Sequence, residues 1–506
     1  MKAMSMKFYI TTPIFYVNDK PHIGHAYAVI ATDALARYHR MIGDEVLFIT
    51  GTDENSQKNV EAAEKLNEDV FDYVDRMSAL WQLTWDELGI SNNDFIRTTE
   101  DRHLKVVNKF WQAVADRGDI YKGTYNGLYC VGCEAFYTET DLVEGRCPIH
   151  QTTPKKIQEE NYFFKLNKYR QPLLEYIKKH PEFIQPETRR HEVLNYIRDH
   201  LTDLSISRLS NKWGIPVPDD ESQAIYVWFD ALINYLTAVG YGTDDAMFQK
   251  WWPADLHVIG KDIIKFHCAL WPAMLMSTGL PLPKQIFAHG YYTMGSQKIS
   301  KSLGNAIDPK DLVETYGLDA VRYFLLREIP FGSDGDFSIE RLAARYDADL
   351  ASGLGNLVSR VITLAAGRTS FAASTDLKAD FAHCWVSYNL SLMNNQPHDA
   401  LDAIWQAVKI CDQYIDKKEP WRLAKDDSLE HELLVVLGTL VEALRQIGWL
   451  LIPLLPETAA KIFIALGWPE EEKRALADAQ KWGSQTTVPK VQKIVPLFPR
   501  LNSRKT

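Results

Sequence analysis

Near the start of the chain, His22-Ile23-Gly24-His25 sets an imidazole on either side of a glycine. The run follows a strand-like stretch, Phe8 to Val17, and opens a helical pattern with Tyr27, Ile30, Ala31, Ala34, Tyr38 and Met41 on one side. Gly24 is thereby expected at a helix N-terminus, where backbone N–H groups and the positive end of the helix dipole attract anions. Imidazoles in that place can donate hydrogen bonds to phosphate oxygens, which describes a polyphosphate site without a Walker lysine. The cationic charge can come from a distant stretch, Lys298-Ile299-Ser300-Lys301-Ser302, set between Gly295-Ser296-Gln297 and Gly304-Asn305. Lysine suits a contact made by a moving point charge. Alone, one run reads as a helix cap or a turn filler and the other as a solvated loop; together they predict two halves of one ATP site.

A second chemistry lies in Tyr121 to His150. Cys130-x2-Cys133, thirteen residues, then Cys147-x2-His150 has the two-plus-two spacing of a tetrahedral zinc knuckle, and Gly132 permits the tight turn. Four protein ligands leave no open position, so such a Zn2+ would be structural. Cys268, Cys384 and Cys411 lie inside apolar patterns and read as core fillers.

These groups need a scaffold. Gly43-Asp44 ends the first helix, and Glu45 to Thr50 forms a strand whose carboxyl end delivers Gly51-Thr52-Asp53-Glu54-Asn55. Strand, helix, strand is a βαβ unit with a parallel sheet as its default, and ligands bind outside the carboxyl ends of such strands. Asp53 stands there as a partner for a substrate ammonium, or else as the N-cap of a helix from Lys58 to Leu66. The fold resumes after an insertion, with a strand in Ile225 to Ala231 and a helix through Tyr235. Leu256 to Ile259 then ends in Gly260-Lys261-Asp262, and Ile286 to Ala288 leads to the lysine loop. Trp228 reads as core or as the wall of a pocket.

The 506 residues, 46% of them apolar, suffice for about three domains. Six cysteines in so long a chain suit a reducing cytoplasm rather than a disulfide framework. No secretory or transit pattern opens the chain, and Leu433 to Leu455, carrying Glu442 and Arg445, reads as a buried helix rather than a membrane span. A net charge of −10 confines any nucleic-acid contact to local patches. Beyond Asn305 the pattern is helical. Leu350, Leu354, Leu357, Val361 and Leu364 form a buried stripe beside Asn356 and Arg360, and Trp421 follows Pro420. An exposed Trp near an Arg can stack an unpaired RNA base; otherwise it is a packed Trp beside a surface pair. The basic tail from Lys490 onward can fold back through Val491, Ile494, Val495, Leu497 and Phe498, or contact RNA.

In this order the histidine and lysine runs resemble the HIGH and KMSKS signatures of class I aminoacyl-tRNA synthetases, with Ile299 in place of the usual Met. Gly51 to Asn55 looks like the methionyl form of that strand end. Arg189-Arg190-His191-Glu192-Val193 and Asp203 to Arg208 resemble the methionyl connective peptide. The chain is thus identified as a member of the methionyl-tRNA synthetase family, and the resemblance covers essentially all of it. It implies an α/β fold: a Rossmann-type parallel-sheet catalytic domain in two halves (1–117 and 223–345), interrupted by a zinc-knuckle insertion (118–222) and followed by an α-helical bundle (346–506).

The implied site has His22, His25, Lys298 and Lys301 in catalysis, with Gly24, Gly260 and Asp262 also on ATP. Methionine would meet Ile14, Tyr16, Asp53, Trp228, Ala231, Leu232, Tyr235, Ile263 and His267. Asn356, Arg360 and Trp421 would read the anticodon. Implied partners are ATP with Mg2+, methionine and methionine tRNA, the initiator included, for a cytoplasmic monomer. Two alternatives stay open: another class I synthetase, against which Trp228 and the Asp53 strand end speak, and a non-catalytic tRNA-binding paralogue, against which the histidines and the lysine loop speak.

Overall fold

The structure, a computed structural model, describes residues 6–132, 135–137, 139, 142–148, 151–209, 213–295, 297–299, 306–485 and 490–501. The chain divides into two compact units. One holds residues 7–21 and 46–289; the other holds Met6, residues 22–45 and the described part of 290–506.

The first unit is built on a six-stranded sheet in the order Asp94–Arg97, Glu45–Asp53, Lys7–Tyr16, Leu256–Gly260, Ile286–His289, Ile184–Gln185. Lys7–Tyr16 pairs in parallel with Leu256–Gly260, which pairs in parallel with Ile286–His289, and Glu45–Asp53 pairs in parallel with Asp94–Arg97. Strands buried on both faces read as apolar runs rather than alternating ones, and Val46 to Asp53 is buried throughout. A four-stranded antiparallel sheet of Ala135–Tyr137, Ile120–Cys130, Lys155–Phe164 and Leu204–Ser205 belongs to the same unit.

Trp228 does not stand on a strand. The strand in that region, Asp220–Ile225, pairs with Ser207–Arg208 in a small separate sheet, and Val227–Ala231 is a short helix followed by another at Asn234–Thr237. A short, fully buried apolar run carries no period to tell helix from strand.

The second unit opens with the helix Ile23–Ile42, closed by Gly43 in the left-handed region at φ 99°, and continues in helices from Pro309 to Leu466. Arg322, on Leu318–Arg327, is wholly buried; it donates to Asp33 of the first helix at 2.8 Å and to the carbonyls of Pro453 and Leu454. The long helix Glu430–Leu451 is, among the described residues, the only one long and apolar enough to cross a membrane, and 89% of its apolar window is buried inside the protein. Its charges are paired there: Arg445 donates to Glu442 and to Glu471. The tail folds back at Val491 and Phe498, with the Tyr346 hydroxyl on the Pro499 carbonyl, but Val495 is 83% exposed and takes no part.

Candidate functional site

His22 is the N-cap of the first helix. The Gly24 N–H donates to His22 Nδ1 at 3.1 Å and the His22 N–H donates to His25 Nδ1 at 3.2 Å, a reciprocal capping box built from two imidazoles. The rings stack with centroids 3.8 Å apart. Because each Nδ1 accepts a backbone N–H, each ring carries its proton on Nε2 and can present it as a donor. Gly24 is what makes this possible: a Cβ there would lie 2.9 Å from His22 Cε1, so any side chain would displace the folded-back ring. The first turn holds no acidic residue to compete with an anion.

The lysine stretch belongs to the same unit, and both its flanks are tied to this helix. Tyr292 packs edge-on against Tyr27 at 5.0 Å, and the Ile23 N–H donates to the Ile307 carbonyl at 3.0 Å. Tyr292–Met294 turns through Gly295, at φ 58°, into an antiparallel pairing with Gln297–Lys298. Ile299 is buried. Lys301, with Ser300 and Ser302, lies outside the described residues.

The nine residues expected around methionine all fall in the unit of the six-stranded sheet. Asp53 is buried, yet it is not the N-cap of the next helix: Ser56 holds the N-cap position of Gln57–Leu66, without a side-chain capping bond, and Asn59 Nδ2 donates to the carbonyls of Asp53 and Glu54. Helix capping therefore leaves the Asp53 carboxylate to other use. Glu54, adjacent, is held by Arg97 at 2.7 Å and is a structural ion pair. Trp228 stacks flat on Phe266 at 4.1 Å and meets His267 and Tyr16 edge-on at 6.1 and 6.3 Å. Phe266 thus joins the wall, a residue the sequence reading passed over inside an apolar pattern. Ala231 and Leu232 are buried, while Ile14 and Ile263 are partly open. Gly260 ends its strand buried, and Asp262, on the turn Lys261–Ile263, is exposed.

Tyr235 and His267 share a buried hydrogen bond of 2.8 Å, and His267 Nδ1 lies 3.1 Å from the Ile263 carbonyl. A carbonyl only accepts, so Nδ1 bears the proton and Nε2 accepts from the Tyr235 hydroxyl. Burial pushes the imidazole down to about 4, and the same cause raises the Tyr235 phenol. His267 is therefore neutral at physiological pH, as an apolar slot demands. Once unfolded, the ring takes up a proton below about 6.5, whereas in the fold it refuses one until about 4. Its contribution to stability is complete above 6.5 and is lost as the pH falls through that window. Between pH 6.5 and 5.5 the loss should be about 1 kcal/mol. His267→Asn should remove that part of the slope when denaturation midpoints are compared across the two pH values; an unchanged slope would count against it.

In the helical unit, Arg360 lies on Asn356–Ala365 with its guanidinium 5.9 Å from the Trp421 ring centroid. Long contacts of 3.4 and 3.5 Å to Asp412 and Asp416 hold it. Glu419, left-handed at φ 44°, closes the helix Pro397–Lys418, and Pro420 begins the next turn, which turns Trp421 outward at 38% exposure. Arg360, Leu364, Ile415, Pro420 and Trp421 line a cavity of about 300 Å³. Leu364 is thus a cavity wall rather than part of the buried stripe, and Asn356 is exposed on the same helix. Of the knuckle, Cys130 and Cys147 are described: both thiols are buried and both adjoin Thr152, Cys130 Sγ 3.9 Å from its hydroxyl and the Cys147 N–H on its carbonyl. Cys133 and His150 lie outside the described residues.

The sequence model described as "tRNA synthetases class I (M)" matches residues 8–153 and 139–362. The methionine–tRNA ligase of Thermotoga maritima is 45% identical over 99% of this chain and 81% of its own, and that of Streptomyces coelicolor is 44% identical over 99% and 98%. The chain belongs to the class I methionyl-tRNA synthetase family. A solved structure of that family, the Mycobacterium tuberculosis methionyl-tRNA synthetase in complex with methionyl-adenylate, superposes with a TM-score of 0.93 at 39% identity, over 98% of this chain and 100% of that one. The parallel sheet with its many helices is therefore the family fold.

Proposed function

We propose that this chain is a methionine–tRNA ligase, which activates methionine with ATP to methionyl adenylate and passes the methionyl group to the terminal ribose of methionine tRNA. The observation that carries the reading is the likeness to methionine–tRNA ligases over 99% of the chain. In the first step the methionine carboxylate attacks the α-phosphate and diphosphate leaves. No protein nucleophile is needed; positioning and charge stabilisation suffice. His22 and His25 donate from Nε2 toward phosphate oxygens, Lys301 stabilises the developing charge and Lys298 closes the loop. Mg2+ arrives bound through the phosphates of ATP. Asp53 receives the substrate ammonium, and the ring-lined slot suits a thioether, whose sulfur packs well against aromatic groups. Pyrophosphate exchange assayed with each of the twenty amino acids tests the reading: exchange should require methionine, and exchange that prefers another amino acid would overturn it.

One zinc ion per chain is part of the proposal. The two described thiols fit as half of a sulfur-rich tetrahedral set, with Cys133 and His150 as the other half. Metal there would hold the turn at the end of Ile120–Cys130 closed and take no part in activation. Protein purified without chelator should contain about one equivalent of zinc by elemental analysis, and Cys130→Ser should lose it while keeping most exchange activity. Finding no zinc, or a disulfide between Cys130 and Cys133, would remove the assignment.

A further inference from the structure

We infer that His103 is a positioning residue for methionine activation, acting through the buried Asp230 to hold the ring-lined wall at a set distance from Asp53. The inference rests on the proposed activity. His103, on the helix Asp101–Asp116, is fully buried. Its Nε2 donates to Asp230 Oδ1 at 2.7 Å, and its Nδ1 lies 2.9 Å from the Thr237 hydroxyl. Asp230 belongs to Val227–Ala231 and Thr237 to Asn234–Thr237, so one imidazole clasps both short helices. Trp228, Ala231, Leu232 and Tyr235 all lie on these two helices or the turn that joins them. Neither helix has a side-chain cap, and helices of four and five residues do not hold themselves. Their placement must come from such anchors.

The second oxygen of Asp230 ties the wall to the other side of the slot. Asn55 Nδ2 donates to Asp230 Oδ2 at 2.7 Å and to the Thr98 carbonyl at 3.2 Å, and Asn55 stands two residues beyond Asp53 on the same strand end. The carboxylate is thus the shared pin of two groups that must agree about one small substrate: the ammonium partner and the aromatic wall. A buried carboxylate needs its donors, because water cannot replace them. With His103 gone, Asp230 would keep one side-chain donor, and the wall would move relative to Asp53.

The test is pyrophosphate exchange by the full chain, normalised by active-site titration. His103→Leu should raise the KM for methionine about tenfold, the scale of one hydrogen bond lost from a buried charge, with kcat and the KM for ATP within about twofold. His103→Gln, whose amide can donate to Asp230, should recover most of that loss. Thr237→Val, which removes only the Nδ1 arm, should give a smaller rise in the same constant. Asn55→Ala should also raise it, and its combination with His103→Leu should fall short of the product of the two, since both act through one carboxylate. An unchanged KM for methionine in folded His103→Leu would overturn the inference, as would failure of His103→Gln to improve on it or a fully multiplicative double variant. Should His103→Leu not fold, an unchanged constant in Thr237→Val and Asn55→Ala does the same. Wild-type protein without methionine-dependent exchange would instead sink the proposed activity, and this inference with it.

Discussion

Adenylate formation will slow by roughly 30- to 900-fold, about 2–4 kcal/mol of activation free energy, when either His22 or Lys301 loses its side chain, the scale of one preorganised donor removed from a developing charge. For His22 a truncation to Ala confounds two effects, because the imidazole also caps the first helix, and losing a cap costs about 1 kcal/mol of stability. His22→Asn separates them. Asparagine caps helices well but brings no imidazole to the phosphates. The variant should melt near wild type and still lose the rate. Methionine binding, followed by tryptophan fluorescence, should barely change, since Trp228 and its neighbours lie on other elements. Pyrophosphate exchange at the wild-type rate in either variant would take that residue out of the mechanism.

The second large effect belongs to the other half-reaction. Trp421→Ala should lower the catalytic efficiency of tRNA charging by about one to two orders of magnitude, as expected where a stacked base contributes about 1–3 kcal/mol. Exchange without tRNA should stay near wild type. In this proposal the base would enter the cavity beside Trp421, whose lining includes Leu364, Ile415 and Pro420, with the Arg360 guanidinium 5.9 Å from the ring centroid. A methionine tRNA with an altered CAU anticodon should show the same defect with the wild-type enzyme. The two losses should combine less than additively because they remove one contact. Normal charging by Trp421→Ala, or undiminished anticodon discrimination, would make Trp421 a surface residue and nothing more.

What the sequence made legible has a physical pattern. The His22 cap and the Gly43 stop could be read because caps are local: the residues that make them are neighbours in the chain. The buried reading of Leu433 to Leu455 rested in part on Glu442 and Arg445, which pair with each other one turn apart, but Arg445's second partner, Glu471, lies outside that helix and could not be read. Asp33 with Arg322, Glu54 with Arg97 and Asp230 with His103 are likewise paired across long separations. One chain read alone gives no sign of such pairings. Trp228 was expected on a strand because burial on all sides erases periodicity, and the two short helices around it are held by contacts rather than by propensity. The tail shows the same limit: five apolar side chains were available to fold back, and only the body's surface decides that Val491 and Phe498 do and Val495 does not.

The reciprocal cap at the start of the first helix also restricts what the two histidines can do. A ring whose Nδ1 lone pair is spent on a backbone N–H has an Nε2–H to give and no lone pair with which to receive, short of undoing the helix end. His22 and His25 are thereby one-way groups. They can hold a negative oxygen in place, but they cannot carry a proton from one reactant to another. In the proposed reaction these two rings would steady charge, and any proton that moves would have to travel by way of another group.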